Sequence, residues 1–358
     1  MLSYLKKLDI GLLFPVIFLS LTSLVVIWSV KPLYFSQQLI SIIIGFAIAF
    51  AISMIDIRPF LTHRFVVAGI YFLAIALLIF TVLFATPIRG TRSWIVIGPA
   101  QFQTSEFAKV ALIVIFSYFF AKRHISIAHL SNILIPAAYF ALPAAFVLFQ
   151  PDMGTALILG GLFVGYLFVS GIRPRHIFIG LILGVALMAW GWNGFLADYQ
   201  KERILGLFYP ERDPLGVNYS VIQSKIAIGS GGFWGKGWNQ GTQSQLGFLP
   251  EAHNDFIFSA LVEEWGLFGG ILVLGAFLFL LWRIASIGMQ AQNNFSKFLC
   301  LGAVIVLLLH FVFNIGSAVG LFPVIGVPFP LLSYGGSNLL VNFILIGMIQ
   351  SIAMRTSF

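Results

Sequence analysis

The sequence predicts an all-α polytopic membrane protein: ten transmembrane helices, both termini in the cytoplasm, and one large extracytoplasmic loop between helices 7 and 8. Three observations carry that expectation. The chain is 59% hydrophobic and only 9% charged over 358 residues, with a mean hydropathy of +1.00. A water-soluble domain carries about 25% charge, so the solvent of this chain is lipid. Ten apolar segments follow one another at roughly 9–30, 34–55, 64–86, 104–121, 131–149, 152–171, 175–193, 255–282, 297–320 and 337–354. In hydrocarbon the backbone must satisfy its own hydrogen bonds, so these are helices; the short alternating strands of an outer-membrane barrel are not seen.

The third observation is the distribution of Lys and Arg. With the N-terminus inside, the inner side holds Lys6, Lys7, Arg58, Arg64, Lys122, Arg123, Arg173, Arg175, Arg283, Lys297 and Arg355, while the short outer loops hold only Lys31, Arg89 and Arg92. Excess positive charge marks the cytoplasmic side. The net charge of +8 therefore belongs to the ends of apolar segments and does not point to nucleic acid. Lys6 and Lys7 precede the apolar run Ile10 to Val30, which is too long for a secretory leader and has no small-residue cleavage site after it; it reads as an uncleaved first span. The single cysteine, Cys300, sits in an apolar run as packing filler and excludes an intrachain disulfide. There is no obvious internal repeat. The whole chain, 1–358, reads as one integral membrane domain.

The loop at 194–254 stands apart. It holds ten glycines, the cations Lys201, Arg203, Arg212, Lys225 and Lys236, and the acids Asp198, Glu202, Glu211, Asp213 and Glu251. Loops of this length are functional or disordered, and its composition is not that of disorder. "NYSVIQSKIAIGSGG" is expected to form a helix on the membrane surface. "GSGGFWGKGW" (229–238) could cradle phosphate through backbone N–H groups, with Lys236 adding charge. The segment 321–336, with Pro323, Pro328 and Pro330, cannot be regular helix and is expected to be an irregular, re-entrant outer loop lining a cavity.

Charge within a span costs at least about 2.5–3.5 kcal/mol on insertion scales, so each acid there is a functional candidate. Glu106 and Lys109 share a helix face three residues apart: either a structural ion pair, or a polar cavity in which Lys109 reaches an anionic substrate group. Asp152, after Pro151, suits the cap of a helix. Glu263 and Glu264 are expected near the outer boundary. Asp255 is singled out: if one straight helix continues outward past Trp265, its carboxylate lies about 15 Å further out, at headgroup level.

At these residues the sequence resembles the SEDS family (shape, elongation, division and sporulation). "FPVIGVPFPLLSYGGS", "QSKIAIGSGGFWGKGWNQGTQSQLGFLPEAHNDFIFSALVEEWG", "RGTRSWI", "QTSEFAKV" and "QPDMGT" match its blocks in order across the chain, and "GTQSQLGFLPE" looks like the elongation branch. Asn254 and Ser259 depart from the usual "HTDFIFA", Asn218 stands where glycine is frequent, and Lys201 where arginine is frequent. The resemblance implies a peptidoglycan glycosyltransferase that polymerises lipid II into a growing lipid-linked glycan outside the cytoplasmic membrane during cell elongation. It also implies partnership with a class B penicillin-binding protein and other elongation-complex membrane proteins. Asp255 would be the essential carboxylate, with Trp94, Glu106, Lys109 and Asp152 at other sensitive positions and Arg92 beside Trp94. Arg92, Lys109, Arg203 and Lys236 are candidates to meet pyrophosphate, and Ser333, Glu263 and Glu264 are expected at the cavity. No cofactor is required, although a divalent cation could share the charge. Rival readings are a lipid II flippase and a non-catalytic scaffold.

Overall fold

The computed structural model describes residues 7–88, 91–98, 100–123, 131–171, 174–194, 198–209, 213–216 and 218–356. Of the charges used above, Lys6, Arg89, Arg173, Glu211 and Arg212 lie outside the described residues. A helix lies over each predicted apolar segment. In chain order these are α1 Ile10–Val30, α2 Phe35–Met54, the short α3 Arg58–Leu61, α4 Arg64–Phe84, then strands β1 Trp94–Ile97 and β2 Ala100–Gln103, α5 Thr104–Arg123, α6 Ser131–Phe149, α7 Met153–Val169 and α8 Pro174–Gly194. The long loop carries α9 Asp198–Phe208, α10 Tyr219–Ser230 and α11 Thr242–Gln245, and the chain closes with α12 Ile257–Gln290, α13 Asn294–Val319 and α14 Gly336–Thr356. Among the described residues, seven helices are long and apolar enough to cross a membrane, and Ile133–Phe149 and Met153–Val169 are shorter apolar helices.

The helices are not equivalent. α5 and α14 bury 83% of their apolar stretch inside the protein, against 22–44% for the other crossing helices. These two are the inner staves, and the polar residues on them are spared contact with lipid. α14 lies close along α2 because glycines remove side chains at the contact: a Cβ on Gly45 would sit 2.1 Å from the Phe343 ring, and one on Gly347 would sit 2.8 Å from Ala49. α13 packs against α5, α7 and α12. Near its start, the buried Tyr166 hydroxyl donates to the carbonyl of Phe298 (2.8 Å) and lies 3.3 Å from that of Ile113.

One end of the bundle is tied by ions. Asp9 caps α1 through Leu12 N at 2.9 Å and accepts from Arg283 Nε at 3.0 Å, so the start of α1 and the later part of α12 meet there. Asp56 pairs with Arg58 at 2.8 Å and lies 3.8 Å from Arg355 Nε. Hydrogen bonds from Arg58 hold the Asp56 carboxyl below its usual range, against a partial burial that acts the other way.

Two features differ from the all-helical expectation. Residues 94–103 form an antiparallel hairpin with Trp94 opposite Gln103; short strands were not expected because the segment is only a loop's length and its alternation is brief. The second difference is in α12. Gly266 breaks it with φ 69°, ψ −175°, so no straight helix runs out to Asp255. A break frees the last carbonyls of one half and the first N–H groups of the other. The loop at 232–237 takes up both sets: Lys236 N donates to Glu263 O and Gly237 N to Glu264 O (3.0 Å each), while Leu267 N donates to Gly232 O (2.9 Å) and Phe268 N to Phe233 O (3.1 Å). Glycine is required where the two backbones touch: a Cβ on Gly266 would lie 2.2 Å from Phe233 O, and one on Gly235 would lie 2.2 Å from Glu264 O.

Replacing Gly266 by Ala should therefore lower stability by roughly 2–4 kcal/mol, through a strained φ and a backbone clash. Gly275→Ala on the same helix, where nothing lies within 4 Å of the added Cβ, should be neutral or stabilising. Thermal unfolding of the two purified variants in detergent checks the contrast.

Candidate active site

Asp255 lies half-buried in the turn at 250–256, just before α12. The carbonyls of three successive residues in that turn are held by donors from elsewhere. Tyr334 N donates to His253 O at 2.9 Å, Ser333 Oγ to Asn254 O at 2.7 Å, and Asn314 Nδ2 to Asp255 O at 3.0 Å. Ser333 Oγ also receives Phe329 N at 2.9 Å. The turn is thus seated on the segment 321–335, which contains neither helix nor strand, as the prolines dictate. Its Leu331 is fully buried with φ 64°, an uncommon conformation for a side chain of that size. Aromatic rings flank the turn: Tyr34 stacks on Tyr334 with centroids 4.5 Å apart, and the His253 ring lies 5.0 Å from Tyr34. Tyr334 OH donates to Gln37 Oε1.

Below this turn runs a chain of buried polar groups. Lys109 Nζ donates to Glu106 Oε1 at 2.8 Å and lies 2.7 Å from His310 Nε2. Glu106 Oε2 receives Asn338 Nδ2 at 3.0 Å, and Asn338 Oδ1 receives Asn342 Nδ2 at 2.9 Å. His310 Nδ1 is 3.1 Å from Pro328 O. A carbonyl can only accept, so Nδ1 carries the proton; Nε2 is then a lone pair that accepts from Lys109. Glu106 and Lys109 are 3% and 1% exposed. Of the two readings of this pair, the geometry is that of the ion pair. Lys109 is enclosed, and its ammonium is engaged by Glu106 and His310.

The hairpin and α7 meet at Asp152. Its carboxylate caps α7 through Thr155 N (3.0 Å) and Thr155 Oγ1 (2.9 Å), and receives Gln103 Nε2 (3.0 Å) and Ser105 Oγ (3.2 Å). The expected cap is present, and it also fixes the start of α5. Ser337 bonds to both Gln103 N and Gln101 O, tying the hairpin to α14. Trp94 is half-buried on β1, and Arg92, just before it, is exposed.

The loop residues sort differently from expectation. Glu263 is fully buried within the protein. It receives Lys236 Nζ (2.7 Å), Gln243 N (2.8 Å), Ser244 N (3.0 Å), Ser244 Oγ (2.9 Å) and Thr242 Oγ1 (3.2 Å), and so anchors α11 by its N-terminus. Glu264, also buried, accepts from Ser29 Oγ and from Gln245 Nε2. The glycine-rich stretch does not present a phosphate cradle: the N–H groups of Lys236 and Gly237 are bonded across the α12 break, Gly235 N bonds Gly231 O, and the Lys236 ammonium pairs with Glu263 and Thr242. The expected helix at 219–230 is present, but it packs on α12 and α13: Ser224 Oγ donates to Ala318 O at 2.6 Å and meets Ser259 Oγ at 2.7 Å. Arg203 on α9 donates to Val324 O at 2.7 Å and, with Lys225 and Asn218, lines a cleft against Gly320–Val324. Among the described residues, no three His, Cys, Asp or Glu side chains cluster as metal ligands.

The structure therefore gathers Asp255 and Ser333 in one seat, with Glu106 and Lys109 beneath it through His310. Lys236, Glu263 and Glu264 gather at the broken helix, Asp152 lies at the hairpin, and Arg203 lies in its own cleft. His310 and Asn314 were missed. The available signal was a His and an Asn four residues apart in the apolar run "VLLLHFVFNIGSAV", a spacing that puts both on one helix face.

The sequence profile of the cell cycle proteins FtsW, RodA and SpoVE matches residues 2–357. The chain belongs to this family. One relative, the peptidoglycan glycosyltransferase MrdB of Escherichia coli K12, is 42% identical over 285 residues, covering 79% of this chain and 76% of that protein. Two solved structures superpose over 98% of the chain. One is described as showing structural coordination of polymerization and crosslinking by a peptidoglycan synthase complex (TM-score 0.84, 30% identity, 98% of that chain). The other is the rod shape determining protein RodA of Thermus thermophilus (TM-score 0.73, 26% identity, 98% of that chain). Like its FtsW/RodA/SpoVE relatives, the chain is a multi-pass membrane protein.

Breaking a buried pair by removing one partner costs about 3–5 kcal/mol. Glu106→Gln should lower thermal stability in detergent by that amount, and the double variant Glu106→Leu, Lys109→Met should recover most of it.

Proposed function

We propose that this chain, a peptidoglycan glycosyltransferase, polymerises lipid II on the outer face of the cytoplasmic membrane with Asp255 as general base. The observation that carries the reading is the seat of Asp255: a half-buried carboxylate on a turn whose carbonyls are held by Tyr334, Ser333 and Asn314. A base must be positioned before it is useful, and a turn fixed at three successive carbonyls positions it.

In the reaction, Asp255 accepts the proton of the acceptor GlcNAc 4-hydroxyl as that oxygen attacks the anomeric carbon of the donor MurNAc. The bond to undecaprenyl pyrophosphate breaks, the pyrophosphate takes the electron pair, and the α linkage becomes β by inversion. The leaving group needs no proton, so the paired acid of glycoside hydrolysis is not needed. Its developing charge does need cations. Among the described residues, the exposed Arg92 and the exposed cleft residue Arg203, with Lys225 beside it, are the candidates. Trp94 and Asp152 serve by shaping the hairpin beside them.

The membrane frame belongs to the same proposal. Ten spans with both termini inside place Asp9, Arg283, Asp56 and Arg355 on the cytoplasmic side, and the Asp255 turn, the hairpin and the loop outside. The segment 321–335 then enters from the outer face as the floor of the site. A class B penicillin-binding protein is the proposed partner, since a strand polymerised outside must be crosslinked there.

Asp255→Asn keeps the volume of the side chain and removes the base. It should insert and unfold like the parent, yet make glycan from purified lipid II about 10²–10⁴-fold more slowly. Parent-like polymerisation by that variant, with its partner present, would sink the assignment.

A further inference from the structure

We infer that Asn314 is a positioning residue for Asp255, setting the direction of the carboxylate without touching the substrate; the inference rests on the reading of Asp255 as the base. Asn314 is 1% exposed, on α13. Its Nδ2 donates to two carbonyls at once, Asp255 O at 3.0 Å and Val327 O at 2.9 Å. Both N–H groups of one amide therefore join the Asp255 turn to the irregular segment. That segment in turn holds the two preceding carbonyls, through Tyr334 N on His253 O and Ser333 Oγ on Asn254 O.

The geometry makes this bond different in kind from the others. The carbonyl that Asn314 holds belongs to Asp255 itself, so the bond fixes the peptide plane that follows the Asp255 Cα. With the planes on its N-terminal side also held, the Asp255 backbone is fixed from both directions, and only side-chain rotation remains to place the carboxylate. A displacement of about 1 Å at a catalytic group can cost 10²-fold in rate.

The other donor on the same face of α13 is His310, one turn earlier. It grips the next residue of the same segment, Pro328 O, and is itself held from below by Lys109. The Glu106–Lys109–His310 chain thus acts on the same floor as Asn314. A route from the buried ion pair to Asp255 runs along one helix face: Lys109, His310, the peptides at Val327 and Pro328, Asn314 and Asp255. Polar groups this deep in an apolar helix are expensive, and two carbonyl partners satisfy the donors of Asn314 only where the turn and the floor are in register.

The test uses the full chain with its penicillin-binding partner, purified lipid II as substrate, and the variant Asn314→Leu, which keeps shape and volume and loses both donors. Tyr166→Phe is the control. It removes an equally buried hydroxyl that also lies between two carbonyls, at the opposite end of α13. Asn314→Leu is expected to lower kcat about 10²-fold with KM for lipid II within about threefold, and to displace the acid limb of the kcat–pH profile; Tyr166→Phe is expected to lose comparable thermal stability while keeping kcat and that limb. Parent-like kcat in Asn314→Leu, or an equal loss of kcat in Tyr166→Phe at equal thermal stability, would overturn the inference. If the leucine variant does not accumulate in membranes, Asn314→Ala is measured against the same control with the same criteria. Inactivity of the unsubstituted chain would instead sink the reading of Asp255 as the base of a polymerase, so the two failures are distinguishable.

Discussion

A backbone carbonyl or N–H left bare in hydrocarbon costs several kcal/mol, and ordinarily a transmembrane helix avoids the problem by bonding to itself. This protein departs from self-bonded helix at the Gly266 break and in the irregular segment 321–335, and must then supply the missing partners from elsewhere in the chain. At Gly266 the supplier is the loop at 232–237, whose glycines allow two backbones to lie against each other. At 321–335 the suppliers are side chains: His310 and Asn314 for Pro328 and Val327, and Ser333 for Phe329 N. Most of what distinguishes the site from a plain helical bundle follows from these two repairs. The glycine-rich loop, the buried amide and imidazole, and the seat of Asp255 are all parts of them.

The buried Glu106–Lys109 pair belongs to the second repair. Its value does not lie in net stability, since removing two charges from water cancels much of their attraction. Its value lies in direction. Glu106 holds Asn338 of α14, Lys109 holds His310 of α13, and both charges sit on α5, one of the two innermost staves. Three helices are thereby set in register about one point, and the floor of the site is set with them. This accounts for an acid and a lysine buried together deep in the protein.

The helical framework was legible because a lipid solvent leaves a coarse record: every apolar run of spanning length coincides with a helix, and Asp152 after Pro151 marked a cap that is present. What was not legible has a physical reason in each case. Gly266 sits in the run "VEEWGLFGG", where a glycine inside an apolar stretch reads as a packing contact; only the loop that bridges the break reveals it. The loop's own N–H groups looked free because their acceptors lie some thirty residues on, at Glu263 and Glu264. Lys236 looked like an available cation for the same reason, its partner Glu263 being hidden in the third dimension. The hairpin at 94–103 is too short to show a period. Asp255 could be singled out, but the residues that hold it are scattered over α13 and the segment before α14, and no spacing rule links them.

The order of residues along the chain gives the seat of Asp255 a temporal meaning. The loop that bridges the Gly266 break is translated before the helix it bridges, so that repair can close as soon as α12 emerges. The partners of the Asp255 turn come later: Asn314, Ser333 and Tyr334 all follow it in sequence, Ser333 lying 79 residues after the Asn254 carbonyl it holds. A nascent or truncated chain that ends before α13 therefore carries the carboxylate but not the groups that aim it. Biosynthesis lays down the carboxylate and most of the helices before the reactive geometry, so an unfinished chain in the bilayer holds parts of an enzyme without being one.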